Sequence, residues 1–129
     1  MTLACSMLFV KDFARMREFY VNALQSKPVN TQWTDSWAMF NLGGSGFALH
    51  TIPGESAATA SLAKEQKSVK LIFAVEDVPA ELARLKALGA RTVERSWQNQ
   101  NESCDCLDPE GNIFQIAASA KLPHLLGVM

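Results

Sequence analysis

Within twelve residues the sequence SCDCLDPEGNIFQI places two thiols (Cys104, Cys106), three carboxylates (Asp105, Asp108, Glu110) and a carboxamide (Gln115). Thiolates and carboxylates are ligands for divalent cations, so a metal site is the first chemistry to test. The spacing argues against it. Cys-x-Cys on an extended strand points both thiols to one face and lacks the tight knuckle of a zinc-type Cys-x-x-Cys. Asp108-Pro109-Glu110-Gly111-Asn112 is turn chemistry: proline presets one dihedral, and Gly or Asn accepts positive φ. The stretch therefore reads as strand, turn, strand, with Asp108 and Glu110 as turn and surface residues. Cys104 and Cys106 read as small apolar residues of a sheet core, in preference to a soft-metal site shared with Cys5 and His50.

Other side chains could serve a ligand. In Val69-Lys70-Leu71-Ile72-Phe73-Ala74-Val75 the odd positions are apolar and suited to a helix-covered face, which leaves Lys70 on the opposite face with Ile72 and Ala74. Lys70 has two readings: a counter-ion for an anionic or carbonyl-bearing ligand, or a cation that reaches water or pairs with a nearby carboxylate. His50 could exchange a proton near neutral pH, or end its strand as an ordinary hydrogen-bonded imidazole. Trp33, Trp37, Phe40 and Phe47 are expected on the middle strands of the first half, either stacking on a planar ligand or forming core and interface. No Ser-His-Asp order or nucleophile elbow is present, and Ser45 and Ser103 fall in turns. Cys5 as a nucleophile would need a base, and only Lys70 or His50 offers one.

The elements that must position these groups occur twice. MLFVKDFARMREFYVNALQSKPV (7–29) and LIFAVEDVPAELARLKALGARTV (71–93) each open with an apolar β-type run. Each continues with a helix-capping acid, Asp12 or Asp77, and then apolar residues at helical spacing: Phe13, Met16, Tyr20 and Leu24, or Val78, Leu82 and Leu85. Pro79 suits a first helical turn, Gly89 a C-terminal cap, and Pro28 lies beyond the first helix. SWAMFNLGGSGFALHTI (36–52) and SCDCLDPEGNIFQIAA (103–118) then each read as strand, turn, strand, with Gly44 matching Gly111. The predicted fold class is α+β, with two βαβββ modules forming one domain over 1–129. Module one spans about 3–52, a small polar linker 53–68 carries a short helix around 57–67, module two spans about 69–118, and a tail follows over 119–129.

The bulk composition sets limits. The chain has 129 residues, enough for one real core, and a net charge of −1. No basic stripe offers a nucleic acid its counter-charge, and no apolar run is long enough to span a bilayer. Thr2-Leu3-Ala4-Cys5 has no basic segment or apolar run before it, so a lipoprotein signal is not expected. An odd number of cysteines, three, makes no disulfide framework, and reduced thiols in a cytoplasmic protein are the expectation.

The repeat, the Phe9-Val10-x-Asp12…Arg17-Glu18-Phe19-Tyr20 opening and the closing Asp108-Pro109-Glu110-Gly111-Asn112-Ile113-Phe114-Gln115-Ile116 together resemble the vicinal oxygen chelate superfamily. That superfamily comprises glyoxalase I, extradiol dioxygenases, fosfomycin-resistance and bleomycin-resistance proteins. The resemblance covers residues 3–118. It implies modules that curl into half-barrels of a curved mixed sheet around a cavity, and a homodimer with two ligand pockets. In metal-dependent members a divalent ion is held by His and Glu at positions that correspond here to Cys5, Ala48, Lys70 and Gln115. Alanine cannot ligate, a protonated lysine has no lone pair to give, and Gln is a weaker ligand than Glu. The expectation is therefore no metal and no cofactor, and a binding protein of the bleomycin-resistance type rather than an enzyme. It would bind or sequester a small hydrophobic or aromatic molecule through Cys5, Trp33, Trp37, His50, Lys70, Cys106 and Gln115. The alternative is a metal-dependent lyase, isomerase or dioxygenase with an atypical ligand set. A third reading makes the groove only a dimer interface.

Overall fold

The computed structural model describes residues 3, 5–52, 69–96 and 98–121. The chain divides into two compact units, Met1–Ala63 and Lys64–Met129. The helix expected around 57–67 and the tail beyond 121 lie outside the described residues, and Ser119–Lys121 forms a single 3-10 turn.

In the first unit the order is β1 (Cys5–Val10), α1 (Phe13–Leu24), β2 (Trp37–Asn41) and β3 (Gly46–Thr51). The sheet runs β1-β3-β2, with β1 parallel and β2 antiparallel to β3. In the second unit β4 (Leu71–Val75), α2 (Val78–Ala87), β5 (Arg91–Val93), β6 (Ser103–Leu107) and β7 (Ile113–Ala118) give the sheet order β4-β7-β6-β5. Here β4 is parallel to β7, and the remaining pairs are antiparallel. The parallel pairs require the intervening helix as a crossover.

The expected caps form. The carboxylate of Asp12 accepts from the Arg15 amide at 3.2 Å and that of Asp77 from the Ala80 amide at 3.1 Å, each satisfying an amide that the first turn leaves unpaired. Helix α2 ends in a Schellman arrangement. Gly89 takes φ +108°, its amide donates to the Lys86 carbonyl, and the Ala90 amide donates to the Leu85 carbonyl. Helix α1 ends instead on Gln25 at φ +52°, a left-handed conformation in a residue that carries a Cβ.

The modules differ at one strand. The counterpart of β5 in the first unit is an extended segment rather than a ladder strand. The Val29 amide donates to the Met39 carbonyl at 2.7 Å. One residue on, the Asn30 side chain takes over the pairing, accepting from the Met39 amide at 2.9 Å and donating to the Trp37 carbonyl at 3.2 Å. Pro28 has no amide to give to a ladder, and the Asn30 carboxamide acts as a peptide surrogate beside β2.

Each sheet packs one face on its own helix. In the first unit Val10, Ala38, Phe40, Phe47 and Leu49 are buried together with Phe13, Met16, Phe19 and Tyr20 of α1, and the Tyr20 and Phe47 rings lie 5.2 Å apart. Phe40 and Phe47 (ring centroids 6.1 Å apart) are therefore core residues and not ligand platforms. In the second unit Cys104, Cys106, Phe114 and Ile116 lie on the face shared with Phe73, and Val78, Leu82 and Leu85 of α2 are buried over that sheet.

Candidate functional site

Strand alternation leaves one face of each sheet turned away from its helix. In the first unit that face is a grid of three rows: Cys5-Gly46-Asn41, Met7-Ala48-Met39 and Phe9-His50-Trp37. Met7 is 45% exposed. The Phe9 and His50 rings meet edge-on at 5.9 Å. His50 Nδ1 lies 2.5 Å from the Thr51 carbonyl oxygen, which can only accept, so Nδ1 is the donor of that contact. Trp37 donates from Nε1 to the Gln32 carbonyl at 3.0 Å. Trp33, expected on a strand, sits instead in the turn before β2. It is 71% exposed, at φ +54°, and its carbonyl accepts from the Ser36 and Trp37 amides. The structure thus brings His50 and Trp37 together, keeps Cys5 two rows away on the same face, and leaves Trp33 outside the grid.

The equivalent face of the second unit is polar. Its central row is Ile72-Gln115-Asp105-Val93, and Ile72 is 48% exposed. Asp105, with its side chain 1% exposed, is the centre of the cluster. Its carboxylate accepts from Lys70 Nζ at 3.2 Å, Arg95 Nε at 3.1 Å and Gln98 Nε2 at 3.2 Å. Gln98 also accepts the Asp105 amide at 3.0 Å, so it holds both the backbone and the side chain of that residue. Burial alone would raise the Asp105 pKa, but the hydrogen bonds from Gln98, Arg95 and Lys70 outweigh it and hold the carboxyl below its ordinary value. Lys70 thus pairs with a nearby carboxylate, one of the two arrangements expected of it.

Gln115 stands directly opposite Asp105 and is only 7% exposed, yet its carboxamide makes no hydrogen bond among the described residues.

Cys106 does not join this face. Cys104 pairs with Ile116 and Cys106 with Phe114, so both thiols point to the helix side, away from Gln115 and Asp105. The expectation that Cys106 contacts a ligand is corrected: a two-residue alternation that puts Asp105 on the open face must put its neighbours on the other. Burial raises the Cys104 pKa and, reinforced by the neighbouring Cys104, pushes that of Cys106 up to about 12. These are inert core thiols. Asp108 differs from expectation only in burial. It is fully buried inside its turn, accepting from the Glu110 and Asn112 amides at 2.9 Å each.

Among the described residues no three His, Cys, Asp or Glu side chains gather closely enough to hold a metal ion. The sequence model of the glyoxalase-like domain family matches residues 4–117. The chain belongs to the glyoxalase-like family. Solved structures agree on the fold of this glyoxalase-like protein. Protein ATC0852 from Agrobacterium tumefaciens aligns with a TM-score of 0.71 and 22% identity, over 92% of this chain and 98% of that one. A glyoxalase-related enzyme from Fulvimarina pelagi aligns at 0.70 and 18%, over 93% and 89%. The fosfomycin resistance protein FosX from Listeria monocytogenes aligns at 0.69 and 20%, over 92% and 90%. No curated protein matches the glyoxalase-like chain. No helix among its described residues is long and apolar enough to cross a membrane.

The residues present do not fit the divalent ion that metal-dependent members of this fold hold. At the four corresponding positions Ala48 has no donor atom, Lys70 is a cation bound to Asp105, Gln115 is a neutral amide, and Cys5 alone makes no site.

Proposed function

We propose that this glyoxalase-like protein binds a small hydrophobic or aromatic molecule without a metal ion. In this reading it is a cytoplasmic homodimer and acts by sequestration rather than turnover. The carrying observation is the Lys70–Asp105 ion pair. A position that supplies a metal ligand in metal-dependent members is here an ammonium held 3.2 Å from a buried carboxylate. A second cation placed beside it would meet repulsion instead of a lone pair.

Each unit, taken by itself, offers contacts of the kind such a ligand uses. Phe9, His50 and Trp37 form an aromatic row in the first unit, and Ile72 is exposed beside Gln115 and Lys70 in the second. Apolar area provides affinity, and a few placed polar groups fix orientation.

Titration of the intact protein with small planar aromatic compounds, followed by tryptophan fluorescence first in EDTA and then, after EDTA is dialysed away, with each divalent ion added, tests the reading. The expected result is saturable quenching that added Mg2+, Mn2+, Zn2+ or Fe2+ does not change, with the compound recovered intact. Binding that appears only with one of those ions, or conversion of the compound, would overturn it.

A further inference from the structure

We infer that the open face of the second sheet is an oxyanion subsite, formed by Arg95, Lys70 and Gln115, for a small ligand bearing a carboxylate, phosphonate or phosphate. The inference deepens the binding reading above and rests on it.

Three observations carry it. First, the Arg95 guanidinium is anchored at one edge only. Nε donates to Asp105 Oδ2 at 3.1 Å, while the two terminal amino groups make no hydrogen bond among the described residues, and the side chain is 37% exposed. A planar fork fixed by Nε and open at its other donors is suited to a two-oxygen anion. Second, the Lys70 side chain leaves β4 and reaches Asp105 on β6, so it must pass over β7, the strand that carries Gln115. Its ammonium therefore lies on the same face as the guanidinium. Third, Gln115 is more than nine-tenths buried, shares that face with Asp105, and its carboxamide makes no hydrogen bond among the described residues. Its amide atoms are not sealed from solvent, so the NH2 group can donate to a ligand oxygen beside the two cations. Asp105 and Gln98 hold the donors in place before any ligand arrives, which lowers the ordering cost of binding. Ile72, next to Gln115 in the central row, offers an apolar surface for the body of the molecule.

The test is an NMR titration of the full chain, in EDTA at constant ionic strength, with benzoate, benzamide, methylphosphonate and inorganic phosphate. Benzoate or an organic or inorganic phosphorus oxyanion is expected to bind saturably with millimolar affinity or better, with shifts centred on residues 95, 98, 105 and 115. Benzoate against the two phosphorus anions distinguishes the sources of the oxyanion. Arg95→Met should weaken the binding anion at least about 10-fold, and Gln115→Leu, which touches no ion pair, about 5-fold. Arg84→Met, which removes a cation paired with Glu81 on α2, should leave it unchanged. If no anion saturates by about 50 mM, or if both site variants bind as the unaltered protein does, the subsite is refuted. Benzamide binding as tightly as benzoate would refute the subsite while leaving the metal-free binding reading intact. In a parallel titration without EDTA, anion binding that appeared only on adding a divalent metal would overturn that reading and the subsite with it.

Discussion

Lys70 and Asp105 are joined across a strand: β4 and β6 are not neighbours, yet Lys70 Nζ comes within 3.2 Å of Asp105 Oδ1 by spanning β7. Adjacent strands are about 4.8 Å apart, so the four-carbon stem of lysine is extended along the sheet. The pair links the first residue before an edge strand to the centre of the sheet, and Arg95 and Gln98 add the β5–β6 connection to the same carboxylate. A buried carboxylate is destabilising unless its charge is met, and here three donors meet it.

Removing the carboxylate should therefore cost more than removing either cation. Asp105→Asn is expected to lower stability by about 2–3 kcal/mol, less than the largest buried-pair effects because both cations reach water. Lys70→Met should cost about 1 kcal/mol, since Arg95 and Gln98 remain on Asp105. Urea unfolding of the two single variants and the double variant measures the coupling, expected near 1 kcal/mol. Additive effects would show that the ion pair contributes nothing.

The same carboxylate sets an acid dependence. Its folded pKa lies below the unfolded value of about 3.9. Between the two values the unfolded chain binds more protons, so stability rises with pH there. The Asp105 contribution is fully present above the unfolded value and is lost as pH falls through the folded one. Stability followed from pH 6 down to pH 2 should fall more gently below about pH 4 in Asp105→Asn than in the unaltered protein. Parallel curves would contradict the assignment.

Thiol reactivity should separate the three cysteines. Cys104 and Cys106 are buried with raised pKa values, while Cys5 is half-buried on an edge strand. Disulfide exchange with Ellman's reagent at pH 7.5 should modify Cys5 in the native protein and all three only in denaturant. Rapid native reaction of Cys106, mapped by mass spectrometry, would mean that its strand has the other face outward.

Gln25 ends α1 in the left-handed region without the freedom of glycine, and its side chain is exposed. Gln25→Gly should raise stability by about 0.5–1 kcal/mol, because the native conformation no longer strains a Cβ. Thermal or urea unfolding checks the sign. A loss would mean that the side chain holds a contact the cap needs.

Much of this was legible in the sequence because it depends on local rules. Asp12 and Asp77 announce helix starts through their chemistry and position, and the Asp108–Asn112 turn through its residue types. Period-two alternation is enough to put Cys5, His50, Lys70 and Gln115 on the faces turned away from the helices. What escaped was long-range. Asp105 looked like one more member of a turn-rich acidic stretch, although a charged residue in the middle of an apolar strand and opposite a glutamine is itself a signal that a partner must exist. Arg95 and Gln98 sit in an irregular connection where no period applies, and only the folded chain shows that they converge on Asp105. The core reading of Cys104 and Cys106 agrees with the structure, and their place among ligand contacts does not: with Gln115 facing away from the helix its partner is Asp105, and the thiols on either side must face α2. Module one lacks its fourth ladder strand because a side-chain amide, from Asn30, does the work of a peptide, which no propensity encodes.

The most direct test of the account is elemental analysis by mass spectrometry of untagged protein purified without chelator, together with equilibrium dialysis against divalent metals. Less than about a tenth of a metal ion per chain, with no tight uptake on dialysis, is the predicted result for a site whose positions hold Cys5, Ala48, Lys70 and Gln115. Stoichiometric metal would contradict it, and would require ligands beyond those four positions.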